Sequence, residues 1–366
     1  MKFEVSREQL LRPLQLANAV VERRQTLPIL GNVLLEASGT DFTLVATDLE
    51  VELSVTGESQ ASDTMRVTVG ARRLLDACRM APDGSTLRLE IEGERARLHA
   101  GDTKYGLGTL PADEFPRIDL GPEDRDFHVE STALKTLLDR TQFAMAQQDV
   151  RYYLNGLLLE TVPGGLRAVA TDGHRMAVSE IGGLDGVPPG RQVIVPRKSV
   201  IEANRMLAGI DEQVTLGLCE DHLSLRFATV DFRSKVIEGN FPDYERVIPA
   251  QAHNQAVIGR EALRAALDRV AVVGTDKFSA VRLSFGTDTL HLAASNADNE
   301  QADGSVSMEY RGDAIEMGFN ATYLLDVLSV LDSERVRLSL QNSNSSCLVV
   351  GEDEPDSRYV IMPMRL

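Results

Sequence analysis

The sequence predicts an α+β fold in which one domain plan is repeated three times, and two observations carry that prediction. Three openings align: FEVSREQLLRPLQLA from Phe3, FHVESTALKTLLDRT from Phe127 and AVIGREALRAALDRV from Ala256. Each is a short extended segment, a small or polar residue suited to cap a helix, and apolar residues at helical spacing. The segments after these helices also recur. NVLLEASGTDFTLVATDLEVELSV, NGLLLETVPGGLRAVATDGHRMAVSE and SAVRLSFGTDTLHLAASNADNEQA read as adjoining strands joined by tight turns.

Taken in order, the first helix carries Leu10, Leu14, Ala17 and Val21 as its apolar stripe, and the second carries Leu134, Leu137, Leu138 and Thr141. In the strand after the first helix, Phe42, Leu44 and Ala46 alternate with Thr43 and Val45, so one face enters a core and the other turns away. Ser38-Gly39-Thr40-Asp41 and Pro163-Gly164-Gly165 supply turns. The second half of each copy, beginning TVGARRLLDACRMAPDG, IVPRKSVIEANRMLAG and EMGFNATYLLDVLSVL, reads strand, helix, strand, turn, strand. Pro82-Asp83-Gly84 marks one of those turns. Joints fall after Phe115-Pro116 and Phe241-Pro242, which gives domains 1–121, 122–245 and 246–366. A repeat this long predicts whole domains with their own cores rather than a thin solenoid.

A chain that is 43% hydrophobic and 25% charged should fold into packed, soluble units. Its net charge of -17 is spread over all three copies. That argues against an exterior coated in phosphate contacts, yet permits a local basic surface assembled from several domains. Cys78, Cys219 and Cys347 lie too far apart for a disulfide framework or a metal half-site and read as small buried hydrophobes. No stretch approaches the ~18 to 20 apolar residues of a membrane helix, and the N-terminus lacks a signal-like apolar core, so a cytoplasmic protein is expected.

Catalytic signatures are sparse. Six histidines occur singly, without HExxH, GxSxG or a phosphate loop. Thr171-Asp172-Gly173-His174-Arg175 is the most tempting acid–base cluster. However, Thr47-Asp48-Leu49-Glu50 and Ser295-Asn296-Ala297-Asp298 hold the same place in the other copies. A shared strand-end turn, with a short side chain accepting backbone N–H groups, accounts for the pattern better. Arg72-Arg73 with Arg79, and Arg197-Lys198 with Arg205, open matching helices; they read either as solvated helix surface or as cations aimed at one cavity. Arg23-Arg24 and the run Gln147 to Tyr153 come after the first helices and offer phosphate contacts and stacking groups, with Asp149 opposing such a role. The terminal SRYVIMPMRL either closes a sheet or forms an adaptable, Met-lined wall for a peptide.

Six ordered motifs sharpen this. TLPILGNVLLE (26–36), QDVRYYLNG (148–156), VATDGHRMAV (169–178), VIVPRK (193–198), FPDYERVIP (241–249) and the terminal YVIMPMRL resemble the bacterial DNA polymerase III beta subunit family, the processivity sliding clamps. The resemblance covers the whole chain. It implies three repeated clamp domains per chain, helices lining an inner face with antiparallel sheets outside, and a head-to-tail homodimeric ring through which DNA passes. It implies no catalytic residue, no cofactor and no metal. By the same resemblance Arg24, Arg72, Gln148, Tyr152, Tyr153 and Lys198 face DNA.

A client-peptide pocket is implied at Leu154, Thr171, Gly173, His174, Arg175, Met176, Pro242, Arg246 and Val247, joined by Asn344, Ser346, Val360, Ile361, Met362, Pro363, Met364, Arg365 and Leu366. Met176 and Asn344 stand where Leu and Val are the more familiar family choices, and Asn344 is expected as a buried amide. The dimer contact maps to Lys104, Tyr105 and Leu107 against Val272, Val273 and the acidic Asp298-to-Asp303 region. Implied partners are double-stranded and primed DNA, the DNA polymerase III alpha subunit, the clamp loader complex and repair polymerases, with no membrane. The alternative is a non-enzymatic bacterial peptide-binding scaffold that keeps the fold without acting on DNA.

Overall fold

The computed structural model describes residues 1–22, 27–118, 126–188, 190–249, 252–274 and 280–365. The first copy runs β1 (Lys2–Ser6), α1 (Arg7–Val20), β2 (Asn32–Ser38), β3 (Asp41–Thr47), β4 (Val51–Glu58), β5 (Gln60–Ala61), β6 (Met65–Gly70), α2 (Ala71–Met80), β7 (Thr86–Glu92), β8 (Arg95–Ala100) and β9 (Thr103–Leu110). The second runs β10 (Asp126–Glu130), α3 (Ser131–Asp139), β11 (Gly156–Val162), β12 (Gly165–Thr171), β13 (Arg175–Gly182), β14 (Gln192–Pro196), α4 (Arg197–Leu207), β15 (Gln213–Leu218), β16 (His222–Phe227) and β17 (Val230–Lys235). The third runs β18 (Asn254–Gly259), α5 (Arg260–Ala271), β19 (Ala280–Phe285), β20 (Thr289–Ser295), β21 (Gln301–Arg311), β22 (Ile315–Asn320), α6 (Ala321–Val330), β23 (Arg335–Leu340), β24 (Cys347–Gly351) and β25 (Glu354–Ile361). The element plan expected from the repeats is present three times.

Contacts gather the chain into two compact units, Met1–Thr132 with Ile201–Val236, and Ala133–Val200 with Ile237–Leu366. Each unit holds one antiparallel sheet. The first is ordered β10-β15-β16-β17-β4-β3-β2-β6-β9-β8-β7-β1-β5, and the second β14-β11-β12-β13-β25-β24-β23-β18-β21-β20-β19-β22. The second copy is therefore shared between the units. The cause is a recurring joint: β17 pairs with β4, placing Glu52 opposite Arg233, and β25 pairs with β13, placing Met176 opposite Val360. Strand ladders, with their obligatory backbone hydrogen bonds, connect one copy to the next.

Local sequence explains the helices. Ser6 caps α1 by accepting from the Gln9 N–H at 3.2 Å. Leu10, Leu14, Ala17 and Val20 are buried along its inner stripe. Val20 thus takes the place expected for Val21, because the helix ends there and Val21 is the C-cap residue, its N–H returning to the Ala17 carbonyl. On the second copy's first helix and the turn after it, Leu134, Leu137, Leu138 and Thr141 are all buried, as their spacing requires. The expected alternation of β3 fails on its second face. Val45 is buried with Leu34 and Phe115, since Ala112 and the Phe115 ring cover the side that periodicity turned away from the first core face. The three cysteines are free and buried. No described helix is long and apolar enough to cross a membrane.

Candidate functional site

The tempting cluster around Asp172 is a turn device used in every copy. Asp172 Oδ1 accepts from the His174 and Arg175 N–H groups, both at 2.9 Å. Asp48 Oδ1 does the same for Glu50 and Val51, and Asn296 Oδ1 for Asp298 and Glu300. Asp172 Oδ2 accepts from Arg175 Nε at 3.1 Å. Both carboxylate oxygens therefore fix backbone and Arg175 rather than face a reacting group.

That turn positions the end of β13, and the β25 joint completes a cradle. The Met362 N–H donates to the His174 carbonyl at 2.8 Å, just beyond the last ladder pair. A cavity of 170 Å³ opens there, lined by Leu154, Thr171, Gly173, His174, Arg175, Met176, Pro242, Val247, Val360 and Met362 together with Arg151 and Tyr244. Its floor is apolar, because Met176, Val360 and Tyr244 belong to one buried cluster with Leu158, Val169 and Ile194. Met362 stands at the rim, partly exposed.

Arg175 lines the cavity but its guanidinium is committed elsewhere. Nη2 donates to the Phe143 carbonyl at 2.8 Å and Nη1 to Asp326. Its guanidinium carbon lies 4.5 Å from the Tyr323 ring centroid and 5.2 Å from that of Phe143. It fastens the second copy to α6 of the third, with part-buried charge-assisted hydrogen bonds and cation–π contacts acting together. The cation left at the mouth is Arg151. It is held by Asp149 through Nε at 3.0 Å and Nη2 at 2.8 Å, and this pairing holds the Asp149 carboxyl down at about 2. Gly173 has φ +89°, a left-handed backbone that favours glycine, and a Cβ there would lie 2.9 Å from Arg151 Nη2 and displace that guanidinium.

Sequence reasoning missed Arg151 and Tyr244 as cavity residues, although both sit inside motifs it singled out. Tyr244 lies on the short helical turn Tyr244–Val247. It donates to Glu160 and accepts from Arg167 Nη1 at 3.0 Å. Burial first, then the bond to Glu160, pushes its phenol up to about 12. Tyr244 is thus a neutral donor whose apolar ring forms the wall.

The remaining pocket expectations are dispersed. Arg246 is exposed and pairs with Asp243 at 2.6 Å. Asn344 is exposed, in a turn where its N–H donates to Asn342 Oδ1 at 2.9 Å. The expected buried amide is therefore not there, because the Asn342–Ser345 turn carries the side chain outward. Ser346 and Pro363 are half-buried. Ile361 is fully buried on the face of β25 opposite Val360. The Met364 N–H donates to the Gly318 carbonyl at 2.8 Å. Arg365 lines a separate cavity with Arg282 and Asp303, and Leu366 lies outside the described residues.

The same backbone device exists at the first joint, with different chemistry. The Lys235 N–H donates to the Glu50 carbonyl at 2.9 Å, as Met362 does to His174. Register then sets Glu52 where Met176 stands and Arg233 where Val360 stands. Glu52 is buried and accepts from Arg117 Nε and Nη2 at 3.0 and 2.8 Å, and from the Ile118 N–H at 2.9 Å. An ion pair, Glu52 with Arg117, stands at the first joint where an apolar wall lines the second. A buried charge deprived of its partner is strongly destabilising, so the first joint resists insertion of an apolar side chain.

Among the basic candidates, Arg72, Arg79 and Arg205 line one cavity of 550 Å³ with Asn18, Glu22 and Asp76. Arg72 stands in the first turn of α2, whereas Arg79 and Arg205 stand in the last turns of α2 and α4 rather than at helix starts. Arg72 is exposed, 4.0 Å from Asp76. Arg197 instead donates to the Met145 carbonyl at 3.0 Å, and Lys198 is half-buried at the start of α4. Gln148 is exposed with φ 57°. Tyr152 is 58% exposed, whereas Tyr153 packs on the pocket's apolar cluster; the rings meet edge to face at 5.7 Å. Arg24 lies outside the described residues. Asp149, beside these candidates, is paired with Arg151 at 2.8 Å.

Comparison with known proteins now decides the family. The DNA polymerase III beta subunit N-terminal domain matches residues 1–119, the central domain residues 128–243 and the C-terminal domain residues 245–365. The chain belongs to the DNA polymerase III beta subunit family. It is 45% identical to the beta sliding clamp of Pseudomonas aeruginosa, over the full length of both chains. A crystal structure of the DNA polymerase sliding clamp of that organism, solved with a ligand, superposes with a TM-score of 0.96 at 44% identity, covering both chains fully. A Bartonella birtlesii sliding clamp bound to griselimycin gives a TM-score of 0.96 at 35% identity, also with full coverage.

Among the described residues, two strand edges are without a ladder partner where the repeat plan calls for one. β9 is the counterpart of β17 and β25, yet among the described residues Thr103–Gly108 pair only with β8. β21 is the counterpart of β4 and β13, yet among the described residues Gln301–Ser307 pair only with β20. Lys104 is exposed and Tyr105 half-buried on β9, while Leu107 points into the core. At the end of α5, Val272 is 80% exposed and Val273 half-buried. Asp298, Asn299, Glu300, Gln301 and Asp303 are exposed nearby in sequence, at the start of β21.

Proposed function

We propose that two copies of this chain close head to tail, β9 of one against β21 of the other, into a ring that encircles duplex DNA and tethers client proteins. The observation that carries the reading is the joint itself. The pairing that links copy one to two and copy two to three has one unmatched edge of each kind left over, which is the condition for closure by a symmetric second chain. In this reading the domains are 1–121, 122–245 and 246–366, and the chain contributes no catalytic step, cofactor or metal. Clients such as the polymerase alpha subunit, the clamp loader and repair polymerases insert an apolar tail into the 170 Å³ cavity, with Arg151 placed to meet its polar groups. The setting is cytoplasmic.

Phosphate attraction comes from Arg24, Arg72 and Lys198, with Gln148, Tyr152 and Tyr153 as further contacts. Weak, screened contacts suit a ring that must slide, and they coexist with a net charge of -17. Replacing Arg24, Arg72 and Lys198 together by Ala is expected to weaken association with primed DNA at low salt. The slope of log affinity against log salt should fall by about 0.9 for each phosphate that is no longer neutralised. Binding measured over a salt series checks this; an unchanged slope and affinity at low salt contradicts the assignment.

A further inference from the structure

Sulfur is distributed unevenly between the core and the pocket. All three thiols are buried, and burial pushes Cys78 up to about 11 and Cys347 up to about 12, so neither offers a thiolate at neutral pH. Of the ten methionines, Met1, Met80 and Met362 are exposed. Met1 and Met80 line none of the described cavities, whereas Met362 lines the apolar cavity at the second joint. Its backbone is pinned by the bond to the His174 carbonyl, so a change at its sulfur acts on the cavity wall itself. Met176, the other thioether there, lies beneath the surface in the apolar cluster.

We propose that Met362 is a modification site: hydrogen peroxide converts its thioether to the sulfoxide and thereby lowers the pocket's affinity for apolar clients. The sulfur lone pair takes one peroxide oxygen. The O–O bond breaks as the S–O bond forms, and the other oxygen leaves as water with both protons, so sulfur loses two electrons and peroxide gains them. The product places a strongly polar S=O on a wall that a client side chain must desolvate. This rests on the pocket reading given above, and it makes client release reversible by reduction of the sulfoxide.

The test treats the whole protein with dilute hydrogen peroxide, locates the added oxygen by peptide mass mapping, and measures binding of a fluorescein-labelled synthetic peptide carrying Gln and a Leu-Phe pair. Oxygen at Met362 should accompany a loss of about tenfold in affinity. Methionine sulfoxide reductase with dithiothreitol should restore it. The Met1→Leu/Met80→Leu double variant should respond to peroxide as the parent does. Met362→Leu, whatever its own starting affinity, should not respond at all. Undiminished affinity with Met362 oxidised, no oxidation at Met362, or an equal loss in Met362→Leu would each overturn the inference. Failure of the untreated protein to bind the peptide would instead remove the pocket reading, and the inference with it.

Discussion

Val272→Asp is expected to convert the protein into a folded monomer. Val272 caps the end of α5 and is 80% exposed, so a carboxylate there is solvated in the isolated chain and leaves its stability nearly unchanged. In the proposed ring the same side chain meets β9 of the second copy, where Lys104 is exposed and Tyr105 is half-buried on the opposite face. Desolvating the carboxylate costs about 3 kcal/mol beyond the small return of a pair with exposed Lys104, and a closed dimer has two such seams, which raises the dissociation constant by roughly four orders of magnitude. Sedimentation at low micromolar concentration should show the parent as a dimer and the variant as a monomer, with matching thermal transitions by circular dichroism. A variant that remains dimeric with an intact fold places the seam elsewhere. Loss of the fold together with the dimer would instead make Val272 a stability residue, against its exposure.

The second large effect concerns the apolar wall. Met362→Ala removes apolar contact from a partly exposed side chain and should weaken binding of a short Gln- and Leu-containing peptide by about 1 kcal/mol. Met362→Asp adds a carboxylate that an inserted Leu or Phe must strip of water, and should cost about 3 kcal/mol, near a hundredfold in affinity. Because the cavity lies away from both open strand edges in sequence and sheet order, each variant should still sediment as a dimer. Calorimetric titration measures the graded loss. If Met362→Asp binds the peptide unchanged yet falls apart into monomers, the terminal run is an assembly element and the client wall lies elsewhere.

The features legible in the sequence were those written in local spacing. Helix stripes and the Asp48, Asp172 and Asn296 turns arise from residues within a few positions of one another, and the three-fold plan from the recurrence of those local patterns along the chain. What escaped depends on partners far along the chain. Arg175 reads as a ligand-facing cation until Asp326 and Tyr323, on a helix of the next copy, are seen to hold it. Val45 reads as outward until Phe115 covers it. Nor does periodicity show that the joint register sets Glu52 in the place of Met176, although this substitution separates an ion-paired joint from an apolar one. The motifs carried over from the family located most of the cavity wall. Asn344 is exposed rather than buried because of a turn of its own, and Arg151 and Tyr244, whose places in the wall require the folded geometry, were omitted.

The central claim is topological, and retention on DNA tests it most directly. The protein, loaded onto primed circular DNA by a clamp loader and then washed at high salt, should remain bound, since screening removes phosphate contacts but does not open a ring. Cutting the circle once should release it by sliding off the free ends. Equal retention on circular and linear DNA, or equal loss from both, would contradict encirclement and favour a peptide-binding scaffold that keeps the clamp fold without the clamp's action.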